Sequence, residues 1–204
     1  MISGGGQRGR VMRGFERCSA ACAALLLLLG LPLAAFGNAD LEALMSRLAE
    51  RRTGHARFTE QHYVALLDRP VTTSGELFYE APDRLEKRTL QPRPESLRVA
   101  AGVVEVENGR MKRSLPVQRY PELGAFIESV RATLAGDLPA LRRYFSIALE
   151  GSPSRWRLQL TPLDQRLART VSQVYISGAE AELLQIEVRQ ADGDRSVMNI
   201  QPLP

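Results

Sequence analysis

His55 and His62 are the only histidines of the chain, so any general-base or imidazole-metal chemistry would have to start from them. Their separation of seven is odd, and on a strand an odd separation points two side chains to opposite faces. We read them as an exposed pair at a helix end and an edge strand. A serine triad needs a histidine oriented by an acid beside a nucleophile on a strained turn, and no Gly-x-Ser-x-Gly is present. A glycine-rich phosphate loop is also missing, as are carboxylates at metal-ligand spacing. These residues argue against an enzyme, and nothing in them calls for a cofactor or a metal.

The remaining distinctive side chains are apolar or basic. Trp156, the only tryptophan, alternates with Leu158 and Leu160 against Arg157, Gln159 and Thr161, which makes it a core residue or a cavity wall. Leu123, Phe126, Ile127 and Val130 form a helical stripe that suits a core or the underside of a lid. Arg84-x-x-Lys87-Arg88 and Arg110-x-Lys112-Arg113 read as solvated strand edges that discourage sheet-to-sheet pairing; their functional alternative is a rim that meets lipid headgroups or an acidic membrane partner.

At the N-terminus, Arg8, Arg10, Arg13 and Arg17 precede an apolar run from Ala20 to Ala35 that includes Leu25 to Leu29 and ends in the small residues Gly37 and Ala39. This is the layout of a secretory signal peptide over residues 1–39, with cleavage expected between Ala39 and Asp40. The run is short for a membrane span and is broken by Gly30 and Pro32. The leader takes Cys18 and Cys22 with it, so the mature chain, residues 40–204, has no thiol and no disulfide. It also takes four of the 27 basic and one of the 23 acidic residues, leaving 23 against 22. A near-neutral mature protein gives no support for nucleic-acid binding, and its length suits a single domain.

Positioning these residues requires a sheet and a few helices. Leu41, Leu44, Met45 and Leu48 give a short amphipathic helix capped by Asp40 and ended at Thr53-Gly54. Extended segments follow over 56–67, 71–80, 84–90, 96–100, 103–107 and 110–115, with Asn108-Gly109 as the sharpest hairpin signal. Helical spacing returns from Leu123 to Leu134, stopped by Gly136, and again from Leu138 to Phe145. Alternation then resumes through Ile147/Leu149, Trp156 to Leu160, 170–177, Leu184/Ile186/Val188 and Met198/Ile200. The expected fold is α+β, about eleven antiparallel strands with about three helices. One apolar face per strand needs a cover, which the helices supply best under a strongly curved sheet. That many strands tend to leave room for a ligand.

The local marks are Phe58-Thr59-Glu60-Gln61, Leu67-Asp68-Arg69-Pro70, Ser74-Gly75-Glu76-Leu77-Phe78-Tyr79, Ala81-Pro82-Asp83-Arg84-Leu85, Leu134-Ala135-Gly136-Asp137, Trp156 to Pro162 and Gly193-Asp194-Arg195-Ser196. In order and spacing they resemble the LolA family of periplasmic lipoprotein carriers, in its divergent LolA-related branch. The resemblance implies an open, strongly curved antiparallel half-barrel closed by a helical lid, with acyl chains held in the apolar space between. On it, Leu44, Leu48, Leu77, Tyr79, Phe126, Ile127, Val130, Trp156 and Leu158 are the expected cavity and lid residues. In the better-known carriers an arginine before a proline at the end of the second strand tethers the lid. Here Ala81 precedes Pro82, leaving Arg84 and Arg88 as candidates for the tether or the rim.

The resemblance implies a periplasmic, monomeric carrier in a Gram-negative envelope. It would take acylated lipoprotein or lipid cargo from an inner-membrane donor toward an outer-membrane acceptor. Transfer would be a change of affinity with no chemistry. Alternatives within the same fold are a periplasmic lipid sensor and a carrier for a glycolipid or acylated pigment.

Overall fold

The computed structural model describes residues 38–109 and 111–204, so the expected leader lies outside the described residues except for its last two positions. Eleven strands form one open antiparallel sheet: β1 (Thr53–Tyr63), β2 (Val71–Glu80), β3 (Arg84–Gln91), β4 (Glu95–Ala100), β5 (Val103–Asn108), β6 (Met111–Pro116), β7 (Phe145–Ser152), β8 (Arg155–Pro162), β9 (Val171–Ala179), β10 (Glu182–Gln190) and β11 (Arg195–Pro202). Their spatial order is β6-β5-β4-β3-β2-β1-β11-β10-β9-β8-β7. The first strand therefore pairs with the last at the middle of the sheet, Phe58 opposite Ile200. The two edges, β6 and β7, are neighbours in sequence and are joined through helices.

The helices are α1 (Asn38–Ala49), α2 (Pro121–Leu134), α3 (Leu138–Tyr144) and the four-residue α4 (Gln165–Ala168), with one 3-10 turn over Val117–Arg119. The short α4 carries no hydrophobic period long enough to detect, and the sequence reading did not include it. Its cap is nevertheless explicit, since Asp164 accepts from the backbone N–H groups of Arg166 and Leu167 at 2.7 and 3.1 Å. Helix α1 begins at Asn38 and places Asp40 in its first turn. It stops at Ala49, and Thr53 already belongs to β1.

The covered face divides into two regions. Leu41, Leu44, Met45 and Leu48 of α1 pack into the main core with Trp156, Leu158 and Leu160 of β8 and Val174 and Ile176 of β9. A smaller cluster joins Ile127 of α2 to Val99 and Val104 on β4 and β5. Helix α2 reaches both because its two sides differ in size. Ala125, Ser129, Ala132 and Thr133 are buried, and the hydroxyls of Ser129 and Thr133 donate back to the carbonyls of Phe126 and Ser129 at 2.7 Å each. Small side chains allow close helix approach. At the end of α2, Gly136 has φ +66, and a Cβ there would lie 2.2 Å from the Met45 carbonyl oxygen of α1. Only glycine combines that conformation with that contact.

Two expectations shift by local geometry. The β5–β6 hairpin closes on the pair Asn108–Met111, so its two-residue loop begins at Gly109, φ +58, one position later than the Asn-Gly reading. The histidines also differ from their expected setting. Both lie on β1, a central strand rather than an edge. As the odd spacing requires, they part company: His55 stacks on Phe78 at 4.5 Å between ring centroids, while His62 lies 3.3 Å from the Glu60 carboxylate.

Candidate functional site

Between α2 and the sheet lies a cavity of about 260 Å³. Its walls come from six adjacent strands, β4, β3, β2, β1, β11 and β10, and from α2. Six adjacent strands span about 24 Å, roughly twice the width of one helix. The roof over all six is the 14-residue α2, about 21 Å long.

The apolar lining follows strand parity. Leu77 and Tyr79 on β2 face the same way as their partners Ala56 and Gly54 on β1 and Lys87 and Leu85 on β3. Ile186, Met198 and Ile200 continue the wall across β10 and β11. From above, α2 contributes Leu123, Phe126, Ile127, Val130 and Leu134. Of the nine residues expected for the cavity and lid, Leu77, Tyr79, Phe126, Ile127 and Val130 line this space. Leu44 and Trp156 instead border a separate hollow of about 60 Å³ beside α1. Leu48 and Leu158 are sealed in the main core. Trp156 is fixed there by its indole N–H, which donates to the Glu180 carbonyl at 3.0 Å.

One part of the cavity wall is charged. Glu60 is buried and accepts from Lys87 and Ser196, with the His62 imidazole 3.3 Å away. Lys87 also sits over the Phe58 ring, 5.0 Å from its centroid. Burial pushes the Glu60 carboxyl up, but hydrogen bonds from His62, Lys87 and Ser196 and the Lys87 charge outweigh it and hold the group at about 2. The sequence reading placed Lys87 on a solvated edge. The signal that would have turned it inward is its parity with Leu85, two residues before.

At the α2 end, Arg131 is the organising residue. Its guanidinium binds Glu128 at 2.6 and 2.8 Å, Asp137 at 2.9 Å and the Pro82 carbonyl at 3.3 Å. The Glu128 carboxylate, with Asp137 behind it, raises the guanidinium's affinity for its proton against the opposing effect of burial. Arg84 and Arg88, the sequence candidates for a tether, pair with Glu80 and Glu86 on neighbouring strand positions. The contact between helix and strand end is made by Arg131, from the helix side. Beside it, the Tyr79 hydroxyl is buried without a hydrogen-bond partner. Burial raises its pKa, while the charges of Arg131 and Arg52 pull the other way.

The arrangement is a sheltered apolar volume with a buried ion pair in its wall and an unpaired hydroxyl near the Arg131 contact. Among the described residues no group of three histidines, cysteines or carboxylates is placed to hold a metal, and no helix is long and apolar enough to cross a membrane.

The family model described as outer membrane lipoprotein carrier protein LolA-like matches residues 34–200. No curated protein matches in sequence. Among solved structures, a LolA superfamily protein from Nitrosomonas europaea is similar at 10% identity and a TM-score of 0.43, over 79% of this chain and 91% of that one. A DUF1329 family protein from Desulfovibrio piger gives 10% identity and 0.44, over 79% and 89%. The lipoprotein LppX of Mycobacterium tuberculosis gives 8% and 0.42, over 81% and 95%. With TM-scores below 0.5, these likenesses carry no functional argument.

Proposed function

The chain belongs to the LolA-like family of outer membrane lipoprotein carriers, and from that membership we propose that it is an exported, periplasmic carrier holding an acyl chain in the cavity beneath α2. The observation that carries this reading is the cavity itself: about 260 Å³, walled by Leu77, Phe126, Ile127, Val130, Met198 and Ile200. Ligand pockets usually run from about 300 to 1,000 Å³, so this conformation suits one chain rather than several. Burying an acyl chain stabilises the complex by about 0.8 kcal/mol per methylene. That is ample for retention in water, and release requires α2 to compete for the same surface.

The polar groups divide the work. The buried Glu60–Lys87 pair stops the apolar wall on one side, and the Tyr79 hydroxyl has a donor left over for an ester or amide oxygen of the cargo. Residues 1–39 supply the export signal, after which the mature protein starts at Asp40. Donor and acceptor membrane proteins complete the cycle on either side.

Native mass spectrometry of protein isolated gently from its own periplasm tests the proposal. The expected result is a bound acylated hydrophobe, lost in Phe126→Glu because a carboxylate in the roof faces the chain. Protein that arrives empty and takes up neither lipopeptide nor fatty acid would sink it, and retention unchanged in Phe126→Glu would remove α2 from the site.

A further inference from the structure

The antiparallel order gives the sheet two ends, and large apolar side chains are exposed almost entirely at one of them. Among the described residues nine large hydrophobics are exposed, and seven belong to the end where β1 runs into β2 and β10 into β11. Leu66, 94% exposed, and Leu67 occupy the β1–β2 loop, with Val71 at its far side. Leu90 is the last residue but one of β3 and Met111 begins β6. Tyr144 and Leu163 flank the β7–β8 pair and are tied by a backbone hydrogen bond of 2.9 Å.

The same turns carry cations. Arg69, Arg93, Arg142, Arg143, Arg166, Arg169 and Arg195 are all exposed there, seven cations against the five carboxylates of Asp68, Glu95, Asp164, Asp192 and Asp194. Of the carboxylates among them, Asp164 caps α4, Asp194 accepts the Ala65 N–H at 2.8 Å and Asp192 accepts the Asp194 N–H at 3.0 Å. The Asp194 bond also ties the leucine-bearing loop to the β10–β11 turn. Asp68 and Glu95 are the other acidic residues of these turns.

We propose that this end of the sheet docks on the surface of an anionic phospholipid bilayer. The pattern favours lipid over a protein partner. A protein interface concentrates its anchors in a contiguous, desolvated centre. Here one or two apolar side chains project from each of several separate turns, with arginines between them. That spacing suits shallow insertion into an acyl boundary with cations at the phosphate level. This docking is independent of what the cavity holds; it brings the carrier to a membrane and leaves α2 free.

Vesicle flotation of the full chain tests it, using phosphatidylcholine vesicles with and without one-quarter phosphatidylglycerol at 50 mM salt. The expected result is co-flotation with the anionic vesicles only, fading as salt rises. Combined Leu66→Glu and Leu67→Glu is expected to lower binding at least ~tenfold, and combined Arg69→Glu and Arg166→Glu by a comparable factor. Leu184→Glu, away from this end, is expected to leave flotation unchanged. Both double variants are expected to keep wild-type melting and wild-type uptake of a fluorescent fatty acid, which separates docking from the carrier reading. Absence of flotation by the parent protein, equal binding to neutral vesicles, or equal loss in Leu184→Glu would overturn the proposal. Loss of crosslinks to an envelope protein without any effect on vesicle binding would assign the surface to a protein instead.

Discussion

Glu60 joins three strands through one carboxylate, with Lys87 of β3 and Ser196 of β11 donating to a residue of β1. Its carboxyl lies at about 2 in the fold against an ordinary 4.5. A group depressed by folding contributes its full stability above its unfolded value and loses it as pH falls toward the folded one. The contribution is up to about 3 kcal/mol, so the melting temperature should drop between pH 4.5 and 2. Glu60→Gln is expected to melt about 5 °C lower at neutral pH and to show a flatter response across that acid range in calorimetry.

Trp156 offers a second check at the same scale. Being buried in the main core and outside the lining of the large cavity, it should keep its emission maximum when an acyl probe binds and change only on unfolding. A fluorescence titration showing a ligand-induced shift would place the chain next to α1 instead. Sequence could not have separated these two regions. The alternation around Trp156 and the stripe from Leu123 to Val130 both say that a side is buried, but period carries no information about what lies opposite. Lys87 is the reverse case, since its direction was available from parity with Leu85 while its charge argued for solvent.

At the scale of elements, α2 is held differently along its two flanks. One is small and packed, while the other is large and faces open volume. Arg131 supplies the polar fastening to the β2–β3 turn through the Pro82 carbonyl. Arg131→Ala is expected to cost about 2 kcal/mol in local α2 stability, read as faster amide hydrogen exchange in Phe126–Leu134 than in β8. Acyl exchange should quicken with it. Gly136→Ala should be worse for the whole protein, by about 2 kcal/mol or more, because a Cβ at φ +66 meets Met45 backbone; a lowered urea midpoint measures this. From β2 to β6 the strands were legible to within a residue, because Pro, Gly and Asp punctuate them, whereas β1, read over 56–67, runs Thr53–Tyr63 because it takes up the residues read as the end of α1 and gives up Val64–Leu67 to the loop. The hairpin at Gly109 moved by one because register, set by pairing along the whole strand, decides which residues form the turn.

Over the whole molecule, the open antiparallel sheet with helices on one side was the architecture the sequence supported, and the pairing of β1 with β11 was not. Nothing in local pattern connects Phe58 to Ile200. That seam makes the C-terminal strand central rather than peripheral. A chain ending at Asp194 is expected to lose cooperative melting by circular dichroism, since β1 and β10 would both be left as unpaired, half-apolar edges. Val197→Pro, which removes a ladder donor within the seam, should lower stability by about 3 kcal/mol.

The seam also sets an order of events for a chain that emerges from its N-terminus. Strands β1 to β6 can zip up as a meander and β7 to β10 as a second, yet the cavity has walls in both groups and no continuous floor between them until residues 195–202 arrive. The cavity is therefore the last feature of the fold to form. A chain that stops short of β11 has the two halves of the wall and nothing to join them, so the hollow beneath α2 reports on the arrival of its last strand.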